Sequence, residues 1–212
     1  MFWEGPGSFP RLSNFMKIIV TAIFLLGLLY LILPGPERIE QFSRLPDALK
    51  SQLAGDTVQN PNIAAYYSDY RRDFVTKFYF NDFRRLYCKQ TFWGLPNPLC
   101  FIPPIRLNHP PERAFNYIRD QQESTYLEEY LYPLRESFFV NGYEPFDKNG
   151  RRFNKTSQPI VVDATIYASK TTIRYYPTST WLRVAIYIGI WAVLIALYKI
   201  LRSELSAKRY ES

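Results

Sequence analysis

Histidine and cysteine are scarce in this chain. His109 is the single histidine among 212 residues, and Cys88 and Cys100 are the only cysteines. One histidine cannot make a histidine-rich metal site, and the sequence has no glycine-rich phosphate loop and no Ser-x-x-Lys motif. The candidate nucleophiles Ser137 and Cys88 have no convincing base near them in sequence. We therefore expect no bound metal, no cofactor and no enzymatic activity.

Charged residues are absent from two long apolar runs, residues 18–33 and 184–198. At about 1.5 Å per helical residue, each run with its flanks comes close to the roughly 30 Å hydrocarbon core of a bilayer. No small-x-small cleavage site follows the first run, which indicates a signal anchor rather than a cleaved signal peptide. We predict transmembrane helices at residues 15–33 and 181–201. The lack of ionisable residues in their centres gives no support to a proton or ion pathway within them.

Basic residues flank both apolar runs. Two of them precede the first run and four follow the second: Arg11, Lys17, Lys199, Arg202, Lys208 and Arg209. Because the cytoplasmic flanks of membrane helices are enriched in Lys and Arg, both tails, residues 1–14 and 202–212, are predicted to face the cytoplasm. Residues 34–180 are then predicted to form one domain outside the cytoplasm.

The net charge of +7 does not indicate nucleic-acid binding. The basic residues are spread over the tails and the central domain without a dense block, so a weak preference for anionic lipid is the better interpretation. Aromatic residues make up 17% of the chain. A disordered linker would be poor in aromatics, so we expect the central region to fold.

Helical patterns dominate the first half of the central region. Residues 37–53 carry apolar side chains at spacings of three and four, which predicts a broken amphipathic helix. The pattern of residues 63–87 predicts one long helix with an aromatic stripe that includes Phe74, Phe78 and Phe83, and basic residues on the other face. Aromatic and basic side chains in this arrangement can bind nucleic acid or an acidic partner, but we expect the stripe to be core and the charges to be solvated.

Strand patterns follow a short helix predicted at residues 111–122. Four runs are rich in Tyr, Phe, Val, Ile and Thr and are separated by turn residues such as Asn141–Gly142: residues 125–132, 137–140, 160–167 and 171–176. The last two runs are predicted to pair as a hairpin that leads into the second span. Helices followed by strands predict an α+β domain whose C-terminal part is an antiparallel sheet.

Residues 91–111 form a proline-rich apolar segment. Proline lacks a backbone donor, so we predict an irregular loop that lies against the domain, lipid or a partner. The candidate partner or lipid contacts are Trp93, Leu99 and Phe101 in this loop and Trp181 beside the second span. Outside the cytoplasm the two cysteines can form a Cys88–Cys100 disulfide, and the alternative is two free thiols.

The carboxylate side chains give little indication of a catalytic or metal-binding site. Glu128 and Glu129 are adjacent, so in a strand they point to opposite faces and cannot share one site. Residues 147–150 resemble the start of a calcium loop, but Gln158 stands where the loop needs its final glutamate, which favours a plain turn. An envelope enzyme would have to use Glu128, Glu136 or His109.

Three segments, residues 65–75, 124–146 and 174–178, resemble two-span membrane proteins of small-genome bacteria. The similarity covers most of the central region and the second span. These proteins have no assigned activity, so the resemblance implies the two-span topology and a bacterial inner membrane but assigns no functional residue.

These patterns together favour a non-enzymatic membrane protein that scaffolds or anchors a complex. Its expected partners are the lipid bilayer and other membrane or envelope proteins, and not nucleic acid. The alternatives are a ligand-binding or sensing domain, an envelope enzyme, and an accessory subunit of the mitochondrial inner membrane. The 11 residues after Leu201 are too few for a signalling output domain, which weakens the sensor hypothesis.

Overall fold

The computed structural model describes residues 14–53, 56, 62–118, 124–153, 155 and 157–210, with side chains as far as residue 204. The chain divides into two compact units, one containing the two apolar helices and the other comprising Pro34–Thr178. Apart from Asn14, the predicted N-terminal tail lies outside the described residues.

Within the described residues the chain forms four α-helices and ten β-strands. The helices are α1 (Asn14–Ile32), α2 (Arg72–Cys88), α3 (Ala114–Ile118) and α4 (Thr180–Tyr210). The strands are β1 (Leu49–Lys50), β2 (Ile63–Ser68), β3 (Thr91–Phe92), β4 (Leu95–Pro96), β5 (Ile105–His109), β6 (Tyr126–Tyr132), β7 (Glu136–Tyr143), β8 (Ile160–Val162), β9 (Thr165–Tyr167) and β10 (Ser169–Tyr176).

Helices α1 and α4 are each long and apolar enough to cross a membrane. They pack through Gly27, where an added Cβ would collide with the ring of Tyr187. The Tyr187 hydroxyl donates to the carbonyl oxygens of Ile23 and Phe24, and the Phe24 ring stacks on Tyr187 with centroids 5.6 Å apart. Helix α4 continues to Tyr210, so the segment predicted as a C-terminal tail begins as a helix.

The central domain is built on a six-stranded antiparallel sheet with strand order β1-β2-β10-β7-β6-β5. Its α+β class is as predicted. Helix α2 covers one face, where Phe138 stacks on Phe42 at 4.2 Å and lies 5.6 Å from Phe83. The short helix α3 covers the other face, where Ala114 and Phe139 belong to a second apolar cluster. The two faces of β6 therefore point into different surroundings.

The predicted amphipathic helix at residues 37–53 is wrong. This segment contains only a 3-10 turn, Ile39–Gln41, and the short edge strand β1. Its first apolar side chains, Ile39, Phe42 and Leu45, are buried as the pattern indicated. The backbone becomes extended at Phe42, which ends the 3-10 turn, and the Phe42 ring packs between Phe83 and Phe138 in the core.

The single long helix predicted at residues 63–87 is also wrong, because it is a strand followed by a helix. Strand β2 lies between β1 and β10 and is buried on both faces, so it carries no alternating pattern. In α2 the buried stripe contains Val75, Tyr79 and Phe83. Phe74, predicted as core, is 41% exposed.

Pairing in the second half differs from prediction at three places. Residues 160–167 are themselves a hairpin, β8–β9, so β10 pairs instead with β2 and β7. Asn141–Gly142 lies inside β7 and is not a turn. The segment 91–111, predicted as an irregular loop, contains the two-stranded β3–β4 hairpin and the strand β5. Proline is compatible with short edge strands such as these, because an edge strand leaves some backbone N–H groups outside the sheet.

Two local predictions agree with the structure. A helical segment occupies residues 111–118, and residues 119–122 of the prediction lie outside the described residues. Residues 147–150 form a turn in which Asp147 Oδ1 accepts from the backbone N–H groups of Asn149 and Arg151. Among the described residues, no group of three His, Cys, Asp or Glu side chains could hold a metal ion.

Candidate functional site

Glu128 lies on the α2 face of β6 and is completely buried. Arg106 binds both of its oxygens, with Nε 2.8 Å from Oε2 and Nη2 2.8 Å from Oε1. Arg72 Nη2 lies 3.2 Å from Oε1, and the Tyr130 hydroxyl donates to Oε2 over 2.8 Å. The hydrogen bond to Glu128 raises the pKa of Arg106, and burial next to this carboxylate raises the pKa of Tyr130. The arrangement anchors β5 and α2 to β6 and holds its charges in fixed pairs.

The other two catalytic candidates lie elsewhere. Glu129 points to the opposite face from Glu128, as predicted, and lies 2.7 Å from His109 Nε2. Glu136 pairs with Arg135 at 3.1 Å, and both side chains are buried. Glu128, Glu136 and His109 thus occupy separate ion pairs, and the structure does not bring them together into one site.

The predicted disulfide is present. Cys88 at the end of α2 is bonded to Cys100, with the two Cα atoms 4.6 Å apart. It fastens residues 90–105 to α2, and we call this segment the clamped loop. Arg84 Nε also donates to the Cys100 carbonyl over 3.0 Å. Because the bond lies at the base of the loop, it restrains the side chains that the loop presents.

Buried residues hold the clamped loop from beneath. Asn97 is fully buried, and its Nδ2 donates to the Pro34 carbonyl over 2.9 Å while its Oδ1 accepts from the backbone N–H of Leu99. The Tyr132 hydroxyl lies 2.8 Å from the carbonyl of Ile102. Leu99 is 0% exposed, so the expectation that its side chain contacts a partner or lipid is wrong. It packs under the loop as part of its support.

The side chains of the clamped loop that face solvent, away from the buried Asn97 and Leu99, are apolar. Trp93 is 88% exposed and Phe101 is 73% exposed, and Leu95 and Ile102 are exposed beside them. Trp93 stacks on Phe92 at the β3–β4 turn. In that turn Trp93 and Gly94 have positive φ, +53° and +78°, the pattern of a two-residue type I′ hairpin. Trp181, at the start of α4, is 72% exposed.

A second exposed apolar surface runs along α2. Tyr70 stacks on Phe74 at 4.1 Å, and Phe74 stacks on Phe78 at 6.0 Å. Phe74 and Phe78 border a groove of about 440 Å³, which we call the α2 groove, lined by Phe74, Lys77, Phe78, Asn81, Asp82 and Arg85. Arg85 Nη2 is held 2.6 Å from Asp82 Oδ1, and Asp82 in turn accepts from Ser43.

The sequence pattern offered a signal for this groove that our interpretation missed. Val75 and Tyr79 lie four apart and lead to Phe83, which the prediction places in the core, and this second stripe is the one that faces the sheet. A helix with two aromatic stripes can bury only one of them against a single sheet face. On the other stripe Phe74 is exposed and Phe78 is half-buried.

Comparison with protein-family models, with curated proteins and with solved structures finds no match to this chain.

Proposed function

We propose that this chain is a two-span integral membrane protein, and that its central domain is a non-enzymatic scaffold outside the cytoplasm. Two apolar helices bracket the domain, and the basic residues around them favour cytoplasmic tails. A bacterial inner membrane is the proposed location. The candidate catalytic carboxylates are engaged in structural ion pairs, which favours a scaffold over an enzyme.

The observation that carries the scaffold role is the exposed Phe74 beside the α2 groove, stacked between the half-buried rings of Tyr70 and Phe78. Phe74 is a large apolar side chain on a well-formed helix, turned away from the sheet and stacked between two other rings. Aromatic side chains in a rigid depression are typical anchors of protein–protein contacts. The charge of Arg85 is already paired with Asp82, and the exposed Lys77 at the border favours a partner segment that carries apolar and acidic side chains.

Topology is tested with an impermeant thiol reagent on intact cells. The native cysteines are disulfide-bonded and do not react, so Ser206→Cys and Lys148→Cys each introduce one reactive thiol. We expect labelling of the Lys148→Cys variant and labelling of the Ser206→Cys variant only after the membrane is permeabilised. Efficient labelling of Ser206→Cys from outside would reverse the proposed orientation.

The scaffold role is tested by purification in a mild detergent. We expect the full chain to retain a stoichiometric protein partner and Phe74→Asp to lose it, because the substitution places a charge in the groove. Phe153→Asp is the matched control, since Phe153 is also exposed, at 54%, but does not line the groove. Recovery of the chain alone, or equal recovery of the partner with both variants, would contradict the proposal.

A further inference from the structure

We infer that the clamped loop docks on the lipid surface of the bilayer, with Trp93, Leu95 and Phe101 in the interfacial layer. This inference rests on the proposed two-span topology and names the partner of a surface that the scaffold role does not use. The loop contains no charged residue from Gln90 to Ile105, and the residues that flank it, Lys89 and Arg106, are both basic. Apolar and aromatic segments bordered by cations are typical of membrane-surface binding.

The loop is preorganised for such a contact. The Cys88–Cys100 disulfide restrains its base, and the buried Asn97 and Leu99 hold its lower side. Trp93 stands at the tip of a two-residue turn with nearly its whole side chain in solvent. A rigid loop loses little conformational entropy when it binds, so exposed rings on such a loop are efficient anchors.

The position of the loop in the domain favours lipid over protein. The buried Asn97 donates to the carbonyl of Pro34, and Arg135 Nη2 lies 3.4 Å from the same oxygen. Pro34 is only two residues beyond Ile32, where α1 ends. The clamped loop is thus hydrogen-bonded to the first residue of the central domain. Trp side chains are enriched at membrane–water interfaces, which favours lipid as the partner of the exposed Trp93.

The charges around the loop agree with this partner. Lys89 and Arg84 are exposed at the end of α2, and Arg84 Nε donates to the carbonyl of Cys100 in the loop. No carboxylate lies between Gln90 and Ile105 to oppose an anionic headgroup. Cations near a membrane surface add favourable electrostatic energy when the leaflet carries anionic lipid.

The test uses the full chain in bilayers of phosphatidylcholine and phosphatidylglycerol, with bromine atoms on the upper part of the acyl chains as fluorescence quenchers. Trp3, Trp181 and Trp191 are replaced by Phe so that Trp93 is the sole tryptophan. In an insertion reference, Trp93→Phe is added and a single tryptophan is placed on α4 by Val193→Trp. A surface control carries Trp93→Phe and Phe153→Trp.

We expect Trp93 emission to shift to the blue and to be quenched to an extent comparable with the insertion reference, while the surface control stays unquenched. A Trp93 that emits as in water, with no quenching, would overturn the inference if the reference is quenched. Blue-shifted Trp93 emission without quenching would overturn it too, because the ring would then be buried in protein. An unquenched reference would instead overturn the two-span topology on which the inference rests.

Discussion

Gly142 lies directly beneath the aromatic ring of Tyr126, its cross-strand partner in β6. An ideal Cβ on Gly142 would overlap the ring atoms of Tyr126. Glycine is thus required at this point by close approach of a buried ring, and not by a turn. The same contact explains why a glycine follows Asn141 inside strand β7, one residue before its end.

Gly142→Ala is expected to destabilise the central domain by about 1–3 kcal/mol, the usual cost of overpacking a well-packed core. The measurement is denaturant unfolding of the full chain in detergent, followed by near-ultraviolet circular dichroism of the aromatic core. In the double variant Tyr126→Leu/Gly142→Ala the cost of the alanine should fall, because the ring has been removed. An equal cost of the alanine in both backgrounds would show that the ring is not the obstacle.

The disulfide should contribute measurably to stability. Cys88 and Cys100 are separated by 12 residues, and the chain-entropy model gives about 3 kcal/mol for a loop of this size. We expect Cys88→Ser/Cys100→Ser to lower the free energy of unfolding by about that amount. Thiol titration of denatured, unreduced protein provides the check, and two free thiols in the wild-type chain would show that the bond is not formed.

The stability of the domain should depend more on the pairing of the buried Glu128 with Arg106 than on its pairing with Arg72. Arg106 donates two hydrogen bonds to this carboxylate and Arg72 one longer bond. We expect Arg106→Met to destabilise the domain by about 2–3 kcal/mol, within the range for hydrogen bonds to charged groups with a buried partner left behind. Arg72→Met should cost less. Arg113→Met, at an exposed arginine, is the control, and an Arg106 variant as stable as that control would refute the structural role of the pair.

The protonation of Glu144 should make the free energy of unfolding depend on pH. Burial raises the pKa of this carboxyl above its ordinary value of 4.5, although the hydrogen bond from the Arg72 backbone N–H and the nearby Arg71 lower it in part. The native state therefore binds the proton more tightly than the unfolded state. We expect its contribution to be most favourable below pH 4.5 and to be lost as the pH rises through the raised pKa.

Glu144→Gln should remove this fall in stability while preserving an acceptor for the Arg72 N–H. Asp147 provides a contrast of opposite sign, because the backbone N–H of Arg151 lowers its pKa from 3.8. Its ionised form favours the fold above that pH, and this contribution is lost as the pH falls. The two effects are compared by measuring the free energy of unfolding of wild type, Glu144→Gln and Asp147→Asn across about pH 3 to 7. Parallel curves for wild type and Glu144→Gln would refute the Glu144 effect.

Several features of this protein follow from the sequence by itself, because they depend on local chemistry. The apolar runs near the two ends predict the long helices α1 and α4 by length and composition. The period of two in a strand assigns Glu128 and Glu129 to opposite faces without knowledge of what lies on either face. The strand-forming runs at β6, β7 and β10 are likewise visible in the residues themselves.

Only the tertiary structure decided which elements pair and which stripe of α2 is core. Strand β2 is buried on both faces, so its apolar run cannot be distinguished by period from a helix. Helix α2 carries two aromatic stripes, and the sheet can accept one, so its phase depends on the long-range contact of Phe83 with Phe138. Phe74 is exposed and Leu99 is buried, although both residues are apolar. Their neighbours in the sequence do not reveal this difference, because it depends on long-range contacts.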